Sequence, residues 1–284
     1  MDTRKNQAVT TEKDGKDHWT NIAIDPFNER VRLDDYRGNI GSVIDRLEEI
    51  SNDPSFSKII IKARAEDCDF FISKGYQNEG KLANYFSGSD AYMMTKYKKD
   101  WRRASDYWVK EDDIFHDIIG KERNEGDSLL PEGYQIRKGL ESDAEALASM
   151  YRSVFKIYPT PLNDPEYIRR AMKDDTLFYV CIFDDKLVSA ASAEINPVYY
   201  NAEITDCATL KEHRKAGLMR VIIKRLEEEL KGIQIYTAYS IARALSYGMN
   251  NVLYNLGYRY GGRMANNVKI YDKWEDMNLW NKKL

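Results

Sequence analysis

Along the second half of the chain the apolar positions change period several times, and each change marks an element. Residues 134–138 read as a short strand. The acidic stretch Glu141-Ser142-Asp143 then leads into a helix whose apolar residues Leu147, Met150, Tyr151 and Val154 recur at helical spacing, and a second helix follows Asp164. Two β-rich runs, 177–183 and 187–194, flank Asp184-Asp185-Lys186, which is turn chemistry between antiparallel strands. A strand over 202–210 runs through Lys211-Glu212-His213-Arg214-Lys215-Ala216-Gly217 into a long helix over 218–230. A strand over 233–240, a helix over 248–255 and a last strand near Lys269 follow. The order is strand, helices, three strands, helix, strand, helix, strand, which predicts an α/β domain on a mixed sheet over residues 132–284.

Upstream, residues 20–110 carry strands and helices of their own and read as an N-terminal α/β domain. The charged stretch 111–131, with Gly120, Gly126 and Pro131, reads as the linker, and polar residues 1–19 as a flexible tail. One block repeats: Gly75-Tyr76-Gln77-Asn78-Glu79-Gly80-Lys81-Leu82-Ala83-Asn84 lines up without gaps on Gly257-Tyr258-Arg259-Tyr260-Gly261-Gly262-Arg263-Met264-Ala265-Asn266. Each block follows a short helix and precedes a strand-like tail, 92–97 and 277–280. The N-terminal domain is therefore expected to be a degenerate copy of the second half of the C-terminal fold. It has no counterpart of the 214–217 turn, so no ligand of that turn is expected there.

Composition narrows the possible partners. The 284 residues suit two domains, and 43% hydrophobic residues are enough for a core in each. Lys+Arg 43 against Asp+Glu 46 leaves a net charge of -3, so no overall positive field gathers phosphate backbones or anionic lipid. Neither nucleic acid nor membrane is expected as a partner. The chain opens without an apolar h-region, and its apolar runs are too short to cross a bilayer, which predicts a cytoplasmic protein. Cys68, Cys181 and Cys207, like His18, His116 and His213, are scattered, so neither a disulfide framework nor a metal site is expected. The basic run 96–103, with Tyr97 and Trp101, reads as a solvated helix or linker.

Chemistry concentrates at Arg214-Lys215-Ala216-Gly217-Leu218-Met219, a strand-to-helix junction. Unpaired amides and the positive end of a helix dipole at such a junction suit a pyrophosphate, and a glycine lets it approach the backbone. The segment resembles the coenzyme A loop of GNAT acetyltransferases, with Arg214 and Gly217 matching, Lys215 standing where Gly is usual and Met219 where Gly or Ala is usual. Residues 250–258, including Asn250, resemble the family's last helix, although Leu253 stands where an aromatic is usual. The likeness is closer to one branch. Ala193-Glu194, Asn201-Ala202-Glu203-Ile204-Thr205-Asp206, Ala208-Thr209-Leu210, Ala242-Arg243-Ala244, Gly248-Met249-Asn250, Asn266-Asn267 and Met277-Asn278-Leu279-Trp280 resemble the β-lysine ε-N-acetyltransferase family over nearly the whole chain. Cys207, Lys215-Ala216 and Asn281 depart from it.

The resemblance implies acetyl-coenzyme A as donor, no metal, and β-lysine as the amine acceptor. An alkyl amine with a pKa of ~10.4 is protonated at neutral pH, so the site needs a proton acceptor. Glu203 is the expected general base, with Asp206 as ammonium ligand or alternative base. Three residues apart on a strand, the two point to opposite faces unless a bulge intervenes. Thr209 or Leu210 offers a backbone N–H for the developing oxyanion, and Tyr254 or Tyr258 a proton for the leaving thiolate. For β-lysine itself, Arg243 is the candidate carboxylate ligand with Asn266 or Asn267 beside it, and Glu194 or Asp206 pairs the second ammonium. Cys207 reads as a small hydrophobe, since direct transfer needs no nucleophile. Another small amine, a protein amine, or a coenzyme-binding module without turnover are the other readings. The N-terminal domain is left with two roles, wall of the pocket or homodimer contact.

Overall fold

The computed structural model describes residues 8–124, 126, 129–155, 158, 160–270 and 273–284. Its elements in the N-terminal half are β1 (Val9–Asp14), β2 (His18–Asp25), β3 (Arg30–Gly38), α1 (Ile40–Ser51), β4 (Lys58–Ala63), α2 (Cys68–Ser73), β5 (Gln77–Phe86), β6 (Ser89–Tyr97), α3 (Asp100–Arg103) and α4 (Trp108–Ile119). Those of the C-terminal half are β7 (Tyr134–Lys138), α5 (Ala144–Val154), α6 (Pro165–Lys173), β8 (Thr176–Phe183), β9 (Lys186–Asn196), β10 (Asn201–Thr209), α7 (Leu218–Gly232), β11 (Thr237–Arg243), α8 (Tyr247–Asn255), β12 (Arg259–Ile270) and β13 (Lys273–Lys283).

Among the described residues the strands form one sheet ordered β1-β2-β3-β4-β6-β5-β12-β13-β11-β10-β9-β8-β7. Outward from the seam between β5 and β12, the two halves mirror each other. Each has one parallel step, β3 with β4 and β10 with β11, spanned by the crossover helices α1 and α7. The N-terminal half thus matches β8 through β13, more of the fold than the second half that the sequence predicts. The sequence repeat survives at 75–84 because the backbone there demands particular residues. Gly75 and Gly257 have φ of 83° and 86°, Gly80 and Gly262 of 147° and 140°, Asn84 and Asn266 of 58° and 41°. All six lie where glycine and asparagine are favoured, while elsewhere any residue of suitable polarity keeps the strands.

Packing follows the patterns read above. Leu218, Ile222, Ile223, Leu226 and Leu230 form one stripe of α7 over the small strand residues Ala191, Ala193 and Ala202. On the other face Leu147, Ala148 and Tyr151 of α5 and Ile168 of α6 cover Phe178, Val180 and Ala190. Between the halves, Ile60, Leu82, Tyr85, Phe86 and Met93 pack with Tyr239, Met264 and Leu279 in one cluster.

Several expectations change. Residues 1–7 of the predicted tail lie outside the described residues, but Val9–Asp14 is a strand, paired with β2 from Val9↔Ile24 to Asp14↔Trp19. The first part of the predicted linker, 111–119, belongs to α4, whose Phe115 ring lies 4.3 Å from that of Tyr260. Beyond it Arg123 donates to Tyr258 O at 3.1 Å and Asn124 N–H to Asn255 Oδ1 at 2.7 Å. The charge that suggested a linker is one face of an amphipathic helix. β11 begins at Thr237 rather than 233, because Ile235 N–H returns to Leu230 O at 2.9 Å and closes the end of α7. The tail at 277–280 belongs to the eleven-residue β13. No described helix is long and apolar enough to cross a membrane.

Candidate active site

The turn from β10 into α7 is built on two left-handed residues, Lys215 (φ 69°) and Gly217 (φ 73°). Gly217 is the N-cap and contributes no side-chain cap, so the first amides of α7 face outward at the positive end of the helix dipole. The equivalent helix α1 is closed from within, since Asn39 Oδ1 accepts from Gly41 N–H at 2.9 Å. A cleft of about 640 Å³ opens at the α7 turn, lined by Thr209, Arg214, Lys215, Gly217, Leu218 and Met219 and, from α8, by Gly248, Met249 and Val252. Arg214 is held there by Nε donating to Thr209 O at 3.1 Å. Ala216 instead packs against the core. These amides, cations and open cleft fit a coenzyme A pyrophosphate.

β10 pairs with β11 only from Asn201 to Glu203 and then separates from it. The Leu210 N–H is engaged, donating to Val188 O at 2.9 Å. By ladder alternation the Thr209 N–H points the other way, into the gap left by β11. Of the two amides that the sequence offered for the oxyanion, that of Thr209 faces the gap, whereas that of Leu210 is already engaged.

A bulge interrupts the β9–β10 ladder between Thr205 and Ala208. Asp206 sits in it with φ 53°, and its carboxylate accepts from Ser192 Oγ at 2.7 Å. Ser192 is the cross-strand partner of Thr205, and Glu194 that of Glu203. The bulge thus turns Asp206 onto the face that carries Glu203 and Glu194, where an unbroken strand separates them. A cavity of about 90 Å³ lined by Asp206, Thr205, Cys207, Tyr158, Ser240 and Arg243 lies here. It shares Phe155, Cys207, Arg243, Ser246 and Met249 with the coenzyme cleft, so the two are continuous.

The carboxylates are electrostatically crowded. Burial first, and the Glu194 charge second, push the Glu203 carboxyl up to about 7, against the pull of Lys62, Arg32 and a hydrogen bond from Tyr239. Burial raises Asp206 to about 6, opposed by the Ser192 and Tyr158 hydrogen bonds and reinforced by Glu203. Glu194 is exposed and lines a separate surface cleft with Tyr167, Arg170 and Thr176, yet the protein around its carboxyl and the charge of Asp206 raise it as well. Burial and Asp206 raise the Cys207 thiol, which keeps it protonated and unsuited to nucleophilic attack.

Five other predicted residues have different partners. Asn250 is buried, its Nδ2 donating to Arg243 O at 2.9 Å and Ser246 O at 2.8 Å, and its Oδ1 accepting from Asn278 and Trp280. It ties α8 to β13 and has no hydrogen-bonding capacity left for the coenzyme. The Tyr254 hydroxyl donates to Ile119 O and Lys121 O at 3.2 and 3.0 Å, on the side of α4, and is not among the residues that line the cleft. Tyr258 is fully buried against Glu227. Asn266 Nδ2 donates to Ala104 O at 2.8 Å and the Asn267 backbone carbonyl accepts from Arg30 and Arg102, and neither residue lines the cavity. Arg243 does line the cavity, 3.6 Å from the Glu275 carboxylate.

Sequence reasoning missed Tyr158, Ser192, Tyr239, Arg32 and Lys62. Ser192 lies two residues before Glu194 on β9, so its shared face was legible in principle. The others reach the site from different elements, which no local spacing encodes.

Residues 145–252 match the acetyltransferase (GNAT) family. The chain is 38% identical over 260 residues to N-acetyltransferase YodP of Bacillus subtilis (strain 168), covering 92% of this chain and 94% of that protein. It is 33% identical to a beta-lysine N(6)-acetyltransferase of Methanococcus maripaludis over 92% of this chain and 95% of that one. To the enzyme of the same name from Methanosarcina mazei it is 34% identical, over 87% and 98%. The fold, the open α7 turn and these relatives together place the chain in the GNAT acetyltransferase family, in the branch that includes beta-lysine N(6)-acetyltransferases.

Proposed function

We propose that this acetyltransferase moves the acetyl group of acetyl-coenzyme A to the terminal amine of β-lysine, forming N-epsilon-acetyl-β-lysine, a compatible solute. Coenzyme A would lie with its pyrophosphate on the amides opening α7 and beside Arg214 and Lys215, and it supplies the activated acyl group. The observation that carries the reading is the bulge at Asp206, which turns its carboxylate onto the face that carries Glu203 and Glu194 and into the lining of a cavity that shares residues with the cleft at the α7 turn.

The acceptor's ammonium enters that cavity against Asp206, and its proton passes to the Glu203–Asp206 pair. A carboxyl raised to about 7 is well matched to accepting a proton near neutral pH. The freed amine attacks the acyl carbon, and a C–N bond replaces the C–S bond. The proton that the attacking nitrogen then loses neutralises the departing thiolate, so that coenzyme A leaves as the thiol, and the Thr209 N–H faces the side on which oxygen gathers negative charge. Glu194, on the same face as Glu203, takes the second ammonium, and Arg243 the carboxylate.

A polyamine is the second reading, favoured by the excess of carboxylates, and Arg243 separates the two. Thiol release from acetyl-coenzyme A across β-lysine, α-lysine, polyamines and peptides tests the assignment. Turnover highest with β-lysine, and lost selectively in Arg243→Ala, is expected. Equal turnover of a polyamine, unaffected by that substitution, would overturn it.

A further inference from the structure

The strand ladders define which residues of the two halves are equivalent. Gln77 pairs with Thr95 and its counterpart Arg259 with Asn281. Thr95 in turn pairs with Ile60, and Asn281 with Tyr239. On the parallel steps Ile60 aligns with Arg32, and Tyr239 with Glu203. Arg32 therefore holds in the N-terminal half the position that Glu203 holds in the C-terminal half, with the opposite charge.

The fold brings these two positions together. Ile60 and Tyr239 share the cluster between the halves, and their ladder neighbours flank it. Asp34 clamps both nearby cations, 3.1 Å from Arg32 Nη2 and 3.1 Å from Lys62 Nζ. Lys62 Nζ also donates to the Tyr85 hydroxyl at 3.1 Å, and the Tyr85 ring lies 5.6 Å from that of Tyr239, whose hydroxyl reaches Glu203. Facing Glu203 are thus Glu194 of β9, Asp206 of β10, Tyr239 of β11, Tyr85 of β5, Lys62 of β4, and Arg32 and Asp34 of β3. Tyr158, before α6, completes the set.

We propose that Arg32 and Lys62 are positioning residues for acetyl transfer: the N-terminal half, closed to coenzyme at its own α1, supplies the cations that hold Glu203 ionised and aimed at the acceptor. Three carboxylates crowded on one face of β9–β10 repel one another, and two cations fixed by Asp34 offset that repulsion. This gives the degenerate half a role in catalysis. It rests on Glu203 as part of the proton-accepting pair.

The test uses the full chain with acetyl-coenzyme A and β-lysine. In Arg32→Leu and Lys62→Met the acid limb of the kcat/KM profile moves up by roughly one pH unit, turnover at pH 7 falls about fivefold, and the KM for acetyl-coenzyme A is unchanged. Arg32→Lys and Lys62→Arg keep the limb in place. A limb that stays put in Leu and Met variants of reduced activity, or moves in the conservative ones, overturns the proposal. Carbon-13 titration of the Glu203 carboxyl, assigned through Glu203→Gln, reads the same shift without turnover. If wild type releases no thiol with β-lysine, the substrate reading fails, and this titration still decides the role of Arg32 and Lys62.

Discussion

Gly80 and Gly262 face each other across the seam between β5 and β12, so close that a Cβ on Gly262 falls 2.4 Å from Gly80 Cα and 2.3 Å from Glu79 O. Both lie at φ above 130°, a region essentially reserved for glycine. The two halves join into one sheet because each is bare at this point. Gly262→Ala is therefore expected to cost roughly 2–4 kcal/mol, from strain and overpacking together. Urea denaturation followed by circular dichroism checks it. An unchanged midpoint would mean the seam shifts freely.

Glu203→Gln separates chemistry from stability. Activity at neutral pH is expected to fall roughly 10²–10⁴-fold, with coenzyme A affinity by calorimetry unchanged. The stability effect has a definite sign. A carboxyl whose folded value is raised to about 7 binds its proton more tightly folded than unfolded. Its contribution is present at low pH and is lost as pH climbs from the ordinary carboxylate range to about 7. Wild type should thus lose stability over that window, and Glu203→Gln should lose less. Thermal melts of both at pH 5 and pH 8 make the comparison.

Asn250→Ala removes the side chain that ties Arg243 O and Ser246 O to Asn278 and Trp280. Leaving those buried groups unpaired should cost roughly 2–4 kcal/mol. Because the side-chain hydrogen bonds of Asn250 are all made within the protein, affinity for coenzyme A in the folded fraction should match wild type. A calorimetric loss without destabilisation would return it to the coenzyme site.

Lys215 stands in a left-handed conformation, φ 69°, that costs a non-glycine residue about 1 kcal/mol. That strain explains why a glycine is usual at this position in the resembling family. Lys215→Gly should raise the melting midpoint by a few degrees, and a differential scan would show it. Gly217→Ala, at φ 73° with open space around a Cβ, should lower it instead.

What sequence alone determined was local. Periodicity placed α5, α7, α8 and strands β7 to β10, since hydrophobic spacing is dictated by the element's own repeat. The turn at 214–217 was legible because helix-opening amides and a left-handed glycine are backbone requirements written into residue type. The repeat at 75–84 was legible for the same reason, and only there.

Tertiary structure decided the rest. Asp206 joined Glu203 on one face through a bulge whose register depends on the partner strand, and no count of residues along β10 predicts it. Asn250, Tyr254 and Asn266 look like site residues in sequence, but their side-chain polar groups bond to other parts of the fold, and the backbone carbonyl of Asn267 is held by Arg30 and Arg102. Arg32 and Lys62 lie about 170 and 140 residues from Glu203 in sequence, and only the folding of one half onto the other sets their charges against it. Spacing encodes what a segment does with its own backbone, whereas a site assembled from several strands depends on how the whole sheet closes.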